Sequence, residues 1–88
     1  MKEDLIAKYR QTIVKSIEVL ENIKDSSTFN EQYNRVNREL FAIEREFENK
    51  GILKDRLYFE EMLKLKCKLI NLVVERDMDI LRLIRKAA

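Results

Sequence analysis

The sequence predicts an all-α protein, an up-down-up three-helix bundle with a long C-terminal helix through which two copies pair. Three observations carry that expectation. The 88 residues contain no proline and a single glycine, so little in the chain interrupts a helix. Apolar residues recur at helical spacing along three successive stretches. The last stretch, Leu53 to Lys86, carries more apolar circumference than one packing neighbour can cover.

Helix one is expected over about residues 2–24. Leu5, Ile6, Tyr9, Ile13, Ile17, Leu20 and Ile23 share one face, with Asp4, Lys8, Gln11, Lys15 and Asn22 opposite. The run Asp25-Ser26-Ser27-Thr28 is the break, because short polar side chains bond the local backbone and compete with the helix. Thr28 and Glu31 have the spacing of a capping box.

Helix two then covers about residues 29–50. Phe29, Tyr33, Val36, Leu40, Ile43 and Phe47 alternate by four and three, a coiled-coil seam. Gly51 sits where a left-handed residue would end this helix, with Ile52 positioned to touch Phe47. Phe41 lies off the seam. It either broadens the core stripe against helix one or anchors a partner, since exposed aromatics are frequent hot spots.

Helix three is expected over about residues 53–86. At about 100° per residue, Lys64, Lys68, Asn71, Glu75, Asp79, Arg82 and Lys86 form one narrow polar stripe, and most of the remaining circumference is apolar. Helices one and two, at about 22 residues each, would run about 33 Å against about 50 Å for helix three. The segment from Arg76 to Lys86 would therefore project, carrying Met78, Ile80, Leu81, Leu83 and Ile84, unless the helix breaks near Glu75-Arg76-Asp77 and folds back. With no glycine or proline there, a partner covering the segment is the expectation.

Composition narrows the function. The chain is 45% hydrophobic and 39% charged, a globular balance and not a disordered one. A single domain this small gains materially from oligomerisation. A net charge of +2 is too balanced to argue for nucleic acid or a membrane surface. One cysteine rules out an internal disulfide framework and suits a reducing compartment. No apolar run approaches the length of a membrane span and the N-terminus lacks a signal peptide's apolar region, so a soluble, cytoplasmic protein is expected. The leaning toward Ile, Lys, Glu and Asn suits an AT-rich genome such as that of a phage, virus or other mobile element.

Catalytic chemistry is not apparent. The absence of histidine removes the usual general base and the Ser-His and Cys-His nucleophile pairs. Cys67, on the apolar flank of helix three, reads as a small buried hydrophobe and not a reactive thiol. The acidic residues Glu39, Glu44, Glu46 and Glu48 point in different directions around helix two and read as a solvated face and not a metal site. No glycine-rich phosphate loop is present. No enzyme activity, cofactor or metal is expected.

The expected activity is binding, in a homodimeric regulator, adaptor or inhibitor with a further protein as partner and no membrane. Along helix three, Phe59, Leu63, Lys66, Ile70, Val73, Asp77, Ile80 and Ile84 form a heptad seam expected to be the dimer interface. An antiparallel second copy would bring Lys66 to Asp77 and dock each projecting end on the other body. In a bundle, the two charges could instead point outward or pair with helices one and two. The alternative is a dimeric DNA- or RNA-binding accessory protein. Residues 62–88 hold seven basic against three acidic groups, and Arg82, Arg85 and Lys86 at two helix ends could grip phosphates. Basic residues there also simply complement the helix dipole.

Overall fold

The computed structural model describes residues 2–87. These form three helices, α1 (Lys2–Glu21), α2 (Ser26–Asn49) and α3 (Arg56–Ala87), with a short 3-10 turn over Ile52–Lys54 between the last two. Among the described residues there is no strand, so the all-α class holds.

The core is one cluster drawn from all three helices and the turn. It contains Leu5, Ile6, Tyr9, Ile13 and Leu20 of α1, Phe29, Val36, Leu40, Ile43 and Phe47 of α2, Ile52, and Met62, Leu65 and Leu69 of α3. Ile17, Ile23, Tyr33, Leu72 and Val73 pack against it half-buried. The apolar faces of the first two helices thus lie where their spacing puts them. Contacts between α1 and α3 ascend together. The Tyr58 hydroxyl lies 3.4 Å from Glu3, Arg10 forms an ion pair with Glu61, and Arg76 bonds the carbonyl of Ile23. Contacts between α2 and α3 run oppositely, Lys66 meeting Glu44 at 2.7 Å and Arg76 meeting Phe29.

Three helix ends differ from expectation, each for a local reason. First, α1 stops at Glu21 and not Lys24. The N–H groups of Asn22 and Ile23 reach back only three residues, to Val19 and Leu20, which tightens and closes the last turn. Second, the cap of α2 is Asp25 and not Thr28, so the Thr28–Glu31 capping box is corrected. Asp25 has an extended backbone, and its Oδ2 accepts from both the backbone N–H and the hydroxyl of Thr28 at 2.8 Å. A carboxylate facing the positive end of a helix dipole is the stronger acceptor. The bond from the Thr28 backbone is the chief cause holding the Asp25 carboxyl below its ordinary value of 3.8. Third, α3 begins at Arg56 and not Leu53, because Asp55, extended, accepts from the Leu57 N–H at 3.1 Å and starts the helix there.

Gly51 ends α2 as its position suggested. It is left-handed, with φ 69°, and its N–H donates to Glu48 at 3.1 Å. Phe47 and Ile52 on either side of it are both fully buried. The helix α3 is continuous through Glu75-Arg76-Asp77, so the alternative of a break and fold-back is not taken. With 32 residues against 20 and 24, α3 is about 48 Å long and accounts for the 51 Å long axis.

Candidate association surface

Two apolar faces run along α3. The first comprises Met62, Leu65 and Leu69, all buried, continued by the half-buried Leu72 and Val73. The second comprises Phe59, Leu63, Cys67, Ile70, Val74, Met78 and Leu81, all exposed; Ile70, at its centre, is 42% accessible. Its steps are four, four, three, four, four and three, an eleven-residue repeat occurring twice. Eleven residues close almost evenly on three turns, so the line runs nearly straight along the helix and drifts only slightly in a right-handed sense. It spans about 33 Å.

This line differs in part from the heptad seam. Phe59, Leu63, Ile70 and Ile84 of that seam are exposed, as is Asp77, whereas Val73 and Ile80 turn half-buried toward the bundle. Lys66 is also half-buried, and its Nζ lies 2.7 and 3.2 Å from the two carboxylate oxygens of Glu44, the alternative pairing with helix two. A period of 3.5 slips around a straight helix, so one of the seam's two rows, through Lys66, Val73 and Ile80, rotates onto the core side. Cys67, Val74, Met78 and Leu81 take their places outside. Cys67 is therefore corrected from buried to exposed: two residues beyond buried Leu65, it points about 200° away from it.

Arg76 marks where the bundle ends. It falls on the buried face, in line with Leu65, Leu69, Leu72, Ile80 and Leu83. Its two terminal nitrogens donate to the carbonyls of Ile23 and Lys24 at 2.8 and 2.9 Å, and its guanidinium covers the Phe29 ring. Those carbonyls lie in the connection just after α1, and since α1 has no basic residue in its last turn, Arg76 brings a cation from another helix close to its negative end. The signal for it in the sequence is a charge set in an otherwise apolar line.

Beyond Arg76 the helix projects. Asp77, Met78 and Asp79 are exposed, Ile80 is half-buried, and Leu81 to Lys86 are all exposed. Of the basic end, Arg82 pairs with Asp79 at 3.4 Å, and Arg85 and Lys86 lie on the surface. The projecting end and the ends of α1 and α2 frame an open groove lined by Leu20, Ile23, Phe29, Leu72, Ile80 and Leu83. No protein-family model, curated protein or solved structure matches the chain.

Phe41 lies apart from this surface, on α2. It is 61% accessible with the Arg45 guanidinium 6.0 Å from its ring centre, so it does not broaden the core stripe. Among the described residues no group of three acidic or cysteine side chains is placed to hold a metal, and no helix is long and apolar enough to cross a membrane.

Proposed function

We propose that this chain is an up-down-up helical bundle that homodimerises through α3 and acts by binding another protein, as a small regulator, adaptor or inhibitor. The observation that carries the reading is the second apolar face of α3 together with its projecting end, an exposed apolar line longer than monomers ordinarily leave bare. The ascending contacts of α1 with α3 and the descending ones of α2 support the bundle topology. Phe41 offers a separate aromatic contact on α2 for the further partner.

A second reading, a dimeric DNA- or RNA-binding accessory protein, draws on the exposed basic end formed by Arg82, Arg85 and Lys86. Titration of the full chain into a fluorescent generic duplex at increasing salt separates the two. The protein-binding reading expects weak binding with a shallow salt slope. Tight binding that falls steeply with salt, and that is reduced by Arg85→Ala and Lys86→Ala, would move the assignment to nucleic acid.

A further inference from the structure

Charge is distributed along α3 in a way that selects its own partner. From Asp55 to Glu61 the helix start carries Asp55, Glu60 and Glu61 against Arg56 alone, whereas its end carries Arg82, Arg85 and Lys86. Two copies laid parallel would stack like on like at both ends. Two copies laid antiparallel set each basic end on an acidic start. The exposed apolar line has the same symmetry. About Asn71, Cys67 and Val74 lie four residues before and three after, Leu63 and Met78 eight before and seven after, and Phe59 and Leu81 twelve before and ten after. The line thus reads nearly the same in both directions.

Resting on the homodimer proposed above, we infer that the second copy seats antiparallel on this line, with the two-fold axis beside Asn71. A two-fold perpendicular to a helix brings each edge of its face against the same edge of the partner helix. On one edge lie Glu60 and Arg82, each eleven residues from Asn71; on the other lie Lys66 and Asp77, five before and six after. The axis therefore makes two kinds of cross-pair, each occurring twice. Lys66 keeps its contact with Glu44 and adds Asp77 of the second copy, since an ammonium has three donors. Glu60 and Arg82, held in the single chain by exposed contacts with Arg56 and Asp79, exchange those for each other. The geometry closes, so association stops at two.

The native thiol supplies the test. In this register, the two Cys67 residues stand on opposite sides of the two-fold, about 12 Å apart along the helix direction, beyond the reach of a disulfide. Cys67 of one copy instead lies beside Val74 of the other. Mild oxidation of the full-length Val74→Cys variant, followed by peptide mass mapping, is expected to yield an interchain bridge from Cys67 to the thiol introduced at position 74. The native chain treated alike is expected to stay uncrosslinked. Glu60→Arg alone is expected to weaken the dimer about five-fold, and Arg82→Glu added to it to restore the affinity. A Cys67–Cys67 bridge in the native chain would overturn the inference in favour of parallel pairing. A Val74→Cys chain that sediments as a dimer but forms no bridge between positions 67 and 74 would overturn this register and leave the homodimer standing. A native chain that sediments only as a monomer would overturn both.

Discussion

The guanidinium carbon of Arg76 lies 4.1 Å from the centre of the Phe29 ring, so one side chain of α3 locks the first turn of α2 while bonding two carbonyls of the connection that leads from α1. All three helices meet at this residue, and beyond it α3 projects from the bundle. The same contact therefore finishes the bundle and defines the length of helix left for association.

Arg76→Ala should destabilise the chain by about 2 kcal/mol, because two charge-assisted hydrogen bonds and a cation–π contact are lost at a half-buried site. Arg76→Lys should recover little of that. A single ammonium cannot lie flat on the ring and reach two carbonyls together. Urea unfolding of the three proteins checks both statements, and an alanine variant within about 0.5 kcal/mol of the native chain would show that the junction is unimportant.

Gly51→Ala should cost about 1 kcal/mol, the steric penalty of a left-handed non-glycine residue. An added Cβ would meet nothing within 4 Å, so the whole loss belongs to the backbone and none to crowding. Thermal or urea unfolding measures it. An unchanged midpoint would mean that the turn relaxes to another conformation.

Tyr9 is fully buried, and its hydroxyl has no hydrogen-bond partner among the described residues. Burial is the main cause, and the Glu44 carboxylate a lesser one, raising its ionisation well above the ordinary value of 10.0. The folded state therefore keeps a proton that the unfolded chain releases. The resulting stability is full below pH 10 and declines as pH rises from there toward the folded-state value. Tyr9→Phe should be neutral or stabilising by up to about 1 kcal/mol near neutrality, since it removes an unpaired buried hydroxyl. Its unfolding midpoint should also fall less between about pH 10 and 11. A variant markedly less stable than the native chain at neutral pH would mean that the hydroxyl is bonded.

Much of this architecture is legible in the sequence, for identifiable reasons. Helical spacing places Tyr9, Ile13, Leu40 and Phe47 in the core, and the lone glycine locates the end of α2, because each depends on neighbours within a turn or two. The excess apolar surface of helix three is visible too. Its division is not, since which residues face inward depends on the pitch of the real helix. A seven-residue template carries Lys66, Val73 and Ile80 onto the outer face and leaves Cys67 buried, whereas the eleven-residue spacing from Phe59 to Leu81 follows the exposed line. The cap of α2 escapes the sequence because two adequate capping residues, Asp25 and Thr28, lie three apart. Only the backbone conformation at Asp25 decides between them. Arg76 reads as the start of a projecting segment, although its position in an apolar line is the clue that it reaches across to another helix.

The most direct measurement is sedimentation equilibrium of the full-length chain, native and Ile70→Glu, over a range of concentrations. Ile70 is exposed in the single chain, so the substitution should leave helix content unchanged by circular dichroism while placing a charge at the centre of the exposed line. The native protein should show twice the 10.6 kDa chain mass and the variant the mass of one chain. A native protein that remains at 10.6 kDa throughout, or a variant that dimerises as well as the native chain, would contradict association through the second face of α3.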